Sequence, residues 1–266
     1  HELKSGKKIE IFIIKPLAER EWEVFIRPGR KGKIGSKLKI GDNHLIAEVI
    51  ANCGEGKKII KINKDNISFR NLINRLGHIP LPPYIKRADE SLDRERYQTV
   101  YAKVEGSVAA PTAGLHFTPQ LLQQIIHQGV QIVELVLHVG PGTFKPVRTS
   151  EIEAHKMEKE FYSISTKTIN QIQKAKKEGK RVWAVGTTTV RVIETIAQQG
   201  VWQAGEGWTD LFIYPGYNFK VVDCLVTNFH LPRSTLLMLV SAFADKTFIQ
   251  QAYQEAIKPV SYTHLR

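Results

Sequence analysis

Hydrophobic and polar residues alternate early in the chain with the period of a strand. Glu21-Trp-Glu-Val-Phe-Ile26 keeps period two over most of its length, and Ile9-Glu-Ile-Phe-Ile-Ile14 is hydrophobic and β-branched. Turn chemistry separates such runs at Arg27-Pro-Gly-Arg-Lys31, Gly41-Asp-Asn43 and Cys53-Gly-Glu-Gly56. Short strands at this spacing predict a small antiparallel barrel or sandwich over roughly the first 65 residues. Ser68 then offers a cap for a short helix ending near Gly77, and His78-Ile-Pro-Leu-Pro-Pro83 reads as a rigid extended linker.

Beyond the linker the pattern changes to strands alternating with helices. Thr118-Pro119 predicts an N-cap with proline at the first helical position, and Gly129 closes that helix. Val130 to Val139 reads as a strand leading into Gly140-Pro-Gly-Thr143. Ser165 or Thr166 starts a further helix, closed by Gly179. Arg181-Val-Trp-Ala-Val185 reads as a buried strand, and Gly186-Thr-Thr-Thr-Val-Arg191 turns from it into a helix. Asp210 to Tyr214, Lys220 to Val226 and a capped helix from Ser234 complete an α/β pattern with some antiparallel pairing.

Charge sharpens this division. Lys and Arg outnumber Asp and Glu by 12 over 266 residues, but residues 1–76 alone hold 17 basic against 9 acidic side chains. Arg27, Arg30, Lys31 and Lys33 fall in or beside the predicted turns, where they read either as a solvated rim or, together, as a patch for RNA. The two cysteines and the lack of a secretory leader lead to the expectation of a reducing compartment. The longest apolar candidate, Thr235 to Ala244, falls short of the roughly 18–20 residues a membrane helix needs.

Candidate chemistry gathers in loops at element ends. Gly186-Thr-Thr-Thr-Val-Arg191 puts amides and hydroxyls at a helix N-terminus, suited to phosphate, carboxylate or ribose hydroxyls, or else forms a capped turn. It has neither the lysine of a Walker loop nor GxGxxG spacing. Ala109-Ala-Pro-Thr-Ala-Gly-Leu-His-Phe117 is a small-residue loop that lets backbone approach a ligand closely. His116, His138 and His230 each read as a base, a donor to a ligand or a satisfied structural histidine. There is no metal-ligand spacing and no Gly-x-Ser-x-Gly. The residues alone therefore define an α/β enzyme with a basic β appendage and an unidentified ligand.

At these same residues the chain resembles the S-adenosylmethionine:tRNA ribosyltransferase-isomerases of queuosine biosynthesis. The matching stretches include Ile79-Pro-Leu-Pro-Pro-Tyr-Ile85, Arg96-Tyr-Gln-Thr-Val-Tyr-Ala102, Gly106 to Phe117, His138-Val-Gly-Pro-Gly-Thr-Phe144, Val185-Gly-Thr-Thr188 with Arg191, and Thr209 to Phe243. The resemblance runs from near residue 5 to about Ile257. Glu158-Lys159 stands where the family has His-Ser before Glu160. The family also begins with a further segment rich in Asp, Arg and Leu, and residues 258–266 depart from its pattern as a non-matching tail.

The resemblance implies a larger α/β catalytic domain, expected over residues 77–257, with a small inserted antiparallel β-barrel domain, expected over residues 1–76. It implies transfer of the ribosyl moiety of S-adenosylmethionine to 7-aminomethyl-7-deazaguanine at the tRNA wobble position, giving epoxyqueuosine, adenine and methionine. S-adenosylmethionine is then a consumed substrate, and no cofactor or metal is expected. In that picture His116, His138 and His230 are acid–base or orienting groups. Thr187, Thr188, Arg191, Arg96, Tyr97, Tyr214 and Phe229 hold substrate, and Arg27, Arg30, Lys31 and Lys33 contact RNA. A cytoplasmic monomer is expected. A methyltransferase would be expected to carry a Gly-rich loop and an acidic ribose ligand, and an RNA-binding module leaves the histidine- and threonine-bearing loops unexplained.

Overall fold

The computed structural model describes residues 6–41, 45–82, 85, 87–140, 147, 149 and 151–258. Gly140-Pro-Gly-Thr143 after its first residue, Asp42-Asn43, Pro83-Tyr84 and all of the tail except Lys258 lie outside the described residues. The chain forms two compact units, His1–Asp89 and Glu90–Arg266.

In the first unit, β1 (Glu10–Ala18), β2 (Glu21–Arg27), β3 (Lys37–Ile40), β4 (Leu45–Gly54) and β5 (Lys57–Ile62) make an antiparallel sheet in the order β1-β2-β5-β4-β3. Period-two patterning puts Trp22, Val24 and Ile26 on the same buried face as Val49, Ile60 and Ile62. Register breaks in β1 and β4 bend the sheet. No ladder joins β1 to β3 among the described residues, so the hydrogen-bonded sheet is open and a closed barrel is not observed.

Helix α1 (Asn66–Leu76) covers the buried face with Phe69 and Leu72, and Phe69 meets the Trp22 ring edge-on at 5.1 Å. Burying each such side chain stabilises the fold by about 1.5–3 kcal/mol. The cap is Asp65, not Ser68. Asp65 Oδ1 accepts from Ser68 N at 2.8 Å, and the Ser68 hydroxyl donates to Asp65 Oδ2 at 2.8 Å. A capping side chain reaches an amide two or three positions on, which places Ser68 inside the first turn. These bonds from Ser68 hold the Asp65 carboxyl below its usual range.

In the second unit, the short α2 (Asp93–Arg96) precedes α3 (Pro119–His127), which starts at Thr118, whose hydroxyl accepts from Leu121 N at 3.1 Å. Strands β6 (Val136–His138), β7 (Glu160–Ile164) and β9 (Gly205–Thr209) form an antiparallel sheet in the order β6-β7-β9. Strands β8 (Trp183–Val185) and β10 (Cys224–Val226) pair in parallel. Ser165 caps α4 (Thr166–Lys177) and Ser234 caps α6 (Thr235–Ala244), followed by α7 (Lys246–Ile257).

Helix α5 (Thr187–Gln198) organises this unit. Val190, Ile193 and Ala197 join one core, while Val192 and Ile196 join a second with Tyr162, Ile164 and Ile169. A helix packed on opposite faces must also bury polar residues, and α5 buries Arg191 and Glu194. Glu194 is fully buried. It accepts from Lys220, Val221 and Val222 amides at 2.8–3.0 Å and from the Tyr217 hydroxyl at 3.2 Å.

Several expected strands are shorter or replaced. The strand expected over Val130–Val139 is confined to Val136–His138, and Trp183 in β8 is 57% exposed. Asp210–Tyr214 forms no ladder. Its backbone is tied instead to Arg191, whose Nε donates to Leu211 O at 2.9 Å and whose Nη2 donates to Thr209 O at 3.4 Å. Side-chain anchors thus do locally what strand pairing does elsewhere.

Candidate active site

The parallel pairing of β8 with β10 aligns Val185 with Val226, so the loops leaving both strands emerge side by side. Gly186 N donates to Val226 O at 2.9 Å and locks the two exits together. Gly186 adopts φ of 90°, a conformation that glycine takes without steric cost. It delivers Thr187 and Thr188 to the first turn of α5, which no side chain caps. Both threonines are more than nine-tenths buried, and among the described residues neither hydroxyl has a protein partner. Ligands of open α/β sheets gather at such carboxyl ends of strands.

The loop after β10 carries Thr227 to His230. Thr227 Oγ1 lies 3.0 Å from His230 Nε2, and the His230 amide donates to the Tyr253 hydroxyl at 2.7 Å. Phe229 meets Tyr253 edge-on at 4.9 Å, which pins the loop to α7. Burial pushes His230 down to about 4, so its imidazole is neutral at physiological pH. Asn228 Nδ2 sits 3.0 Å from His116 Nε2, which brings the end of the 109–117 loop to the same place. His116 itself is exposed.

His138 occupies a different setting at the end of β6. It aligns with Phe161, and Phe161 aligns with Trp208 in β9. The three rings form a cross-strand row with centroids 5.1 and 5.5 Å apart. Burial pulls His138 below its usual range, opposed by the charge of Glu206. Among the described residues its buried Nε2 has no hydrogen-bond partner. Gly106 packs against the ring so closely that a Cβ there would lie 2.5 Å from His138 Cε1. The segment beginning at Gly106 connects this row to the other loops: Ser107 Oγ accepts from Val139 N at 2.9 Å, and Val108 N donates to Val139 O at 3.1 Å.

Arg191 does not open onto these loops. It is 4% exposed, its Nη1 pairs with Glu160, itself 3% exposed, and its other nitrogens donate to carbonyls. Its donors are directed to protein acceptors inside the core. Tyr214 packs 5.1 Å from Phe212, which meets His155 at 5.2 Å, in an aromatic run of its own. Arg96 is exposed and Tyr97 half-buried at the end of α2. In the other unit Arg27, Arg30 and Lys33 are exposed, and Lys31, half-buried, ends a single 3₁₀ turn over Gly29–Lys31.

Asn228, Phe161, Trp208 and Tyr253 were not singled out from sequence. No pattern in the sequence pointed to Phe161 and Trp208, which the pairing of β7 with β9 brings together, and the partners of Asn228 and Tyr253 lie 112 and 23 residues away. Among the described residues no group of His, Cys, Asp and Glu is placed to hold a metal ion.

Loops bearing histidine, threonine and asparagine at the ends of a parallel strand pair define a ligand-binding α/β protein of the enzyme type. This chain belongs to the family described as queuosine biosynthesis protein, whose model matches residues 1–264. That match extends beyond Ile257, where the resemblance read from the sequence stops. An S-adenosylmethionine:tRNA ribosyltransferase-isomerase of Natranaerobius thermophilus is 52% identical over 257 residues, 96% of this chain and 74% of that protein. The enzyme of the same name from Halothermothrix orenii is 52% identical over 258 residues, 97% of this chain and 75% of that protein. A crystal structure of S-adenosylmethionine tRNA ribosyltransferase from Thermotoga maritima is 39% identical, covers 96% of this chain and 71% of its own, and gives a TM-score of 0.47.

Proposed function

We infer that this chain is an S-adenosylmethionine:tRNA ribosyltransferase-isomerase that moves the ribosyl moiety of S-adenosylmethionine to 7-aminomethyl-7-deazaguanine at the wobble position. The observation that carries this reading is 52% identity to enzymes of that name over 96% of the chain. The products are epoxyqueuosine in tRNA, adenine and methionine. S-adenosylmethionine is consumed, so no separate cofactor is needed.

The sulfonium acidifies the adjacent ribose C–H. A base removes that proton, the substrate amine attacks the sugar as adenine departs with a proton, and closure of the epoxide by a sugar oxygen breaks the carbon–sulfur bond and releases methionine. His116, His138 and His230 are the acid–base or orienting groups for these steps. The neutral state of His230 and the buried, unpartnered Nε2 of His138 suit groups that accept rather than carry a proton. Thr187 and Thr188 bind ribose hydroxyls or the methionine carboxylate at the α5 N-terminus. Phe229, Tyr214, Arg96 and Tyr97 border the substrates, and Arg191 acts through Glu160 as a positioning residue.

The β1–β5 sheet serves as the small inserted module. Its Arg27, Arg30, Lys31 and Lys33 meet the tRNA backbone, reading shape more than sequence. A cytoplasmic monomer acting on tRNA completes this reading. No helix among the described residues is long and apolar enough to cross a membrane.

The test mixes purified chain, S-adenosylmethionine and tRNA bearing the aminomethyl base, then digests the RNA for mass spectrometry. Epoxyqueuosine with stoichiometric adenine is the expected outcome. A methylated nucleoside with S-adenosylhomocysteine would refute the assignment.

A further inference from the structure

Among the described residues the Asn228 side chain has one partner, His116 Nε2 at 3.0 Å. Its Oδ1 is sealed from solvent and makes no hydrogen bond among the described residues. Leaving a buried acceptor unpaired is destabilising, so an amide at this position does not serve stability alone. Its loop is already fixed without it, by Tyr253 on the His230 amide and by Thr227 on the His230 ring.

The chemistry of the pair fixes the state of the histidine. An amide NH2 can only donate, so the Nε2 it faces must carry a lone pair. A neutral imidazole with an accepting Nε2 carries its proton on Nδ1. The ring is exposed, and Nδ1 has no partner among the described residues. Free imidazole side chains favour the opposite arrangement in water, with the proton on Nε2.

We propose that Asn228 is a positioning residue that holds His116 as its Nδ1–H tautomer, so that His116 presents an N–H donor to a substrate oxygen or ring nitrogen. Building on the ribosyl-transfer reading, this gives His116 the donor's part and leaves proton abstraction to another group. The ligand chemistry it suits is an acceptor such as a ribose hydroxyl oxygen or the departing purine. The pairing joins segments 112 residues apart, so it also brings the 109–117 loop to the strand ends.

The experiment is long-range proton–nitrogen correlation spectroscopy on the full chain with nitrogen-15 histidine at alkaline pH. His116→Gln identifies its signals. The unsubstituted chain is expected to carry the His116 proton on Nδ1, and Asn228→Asp, which can only accept, should move it to Nε2. Asn228→Asp should also lower kcat about tenfold or more, with KM for S-adenosylmethionine little changed. A proton on Nε2 in the unsubstituted chain overturns the proposal even if the variant does not fold, as does an unchanged tautomer in a folded Asn228→Asp. The spectrum needs no turnover, so failure here is distinct from failure to form epoxyqueuosine.

Discussion

The two units solve the same problem of burial in different ways. The sheet unit buries an almost purely apolar core, Trp22, Val24, Ile26, Val49, Ile60, Ile62 and Phe69, and keeps nearly all its charges outside. The second unit buries Glu160, Arg191, Glu194, Thr187, Thr188 and Thr209 among its aliphatic residues. Buried polarity is expensive unless it is satisfied, so it collects where backbone must be held without strand pairing and where a ligand is to be bound. One unit offers charge on a rigid support, and the other offers precisely held polar groups.

The strongest way to break this contrast is Arg191→Met, which removes the buried arginine partner of Glu160. It should cost the second unit about 3–5 kcal/mol in urea unfolding followed by tryptophan fluorescence. A loss below about 1 kcal/mol would mean that the pair is not the clamp inferred from its burial.

A smaller effect follows from His230. Its folded-state value near 4 lies below the ordinary 6.5, so the unfolded chain binds the proton more readily. The stability it contributes is complete above about pH 6.5 and is lost as pH falls toward 4. By pH 5 the loss should reach about 2 kcal/mol, and His230→Gln should flatten that part of the stability curve. Parallel curves for both proteins would contradict it.

In the sheet unit Ile60→Val should cost only about 0.5–1.5 kcal/mol, since an apolar core loses one methylene and no polar group is stranded. Smaller still, Arg30→Ala with Lys33→Ala should shift stability by less than about 0.5 kcal/mol. The same pair should weaken tRNA binding and flatten its salt dependence by about one slope unit for each phosphate no longer neutralised. Equal tRNA affinity at every salt concentration would remove these residues from the RNA face.

What could be read from the sequence tracks the distance over which each signal acts. Thr118, Ser165 and Ser234 cap the expected helices because a cap is complete within three residues. Ser68 misled because Asp65, three residues upstream, is itself a capping residue and accepts the Ser68 amide, which places Ser68 in the first turn. Strands β7 and β9 and helix α7 were not expected. Gly205-Glu-Gly-Trp-Thr209 carries little strand propensity of its own and is a strand because β7 pairs with it. The loops of the site were visible as motifs, but their convergence was not. Arg191 finds Glu160 31 residues back, and His116 meets Asn228 112 residues on. Composition could not distinguish an arginine facing substrate from one sealed in the core.

The most direct test of this division of labour is calorimetric titration of S-adenosylmethionine and of tRNA, each into two variants. One carries Thr187→Val with Thr188→Val, and the other carries Arg30→Ala with Lys33→Ala. The account predicts that the threonine variant loses affinity for S-adenosylmethionine about tenfold or more while binding tRNA normally, and that the basic variant does the reverse. Unchanged S-adenosylmethionine affinity in the folded threonine variant would contradict the site placed at the ends of β8 and β10.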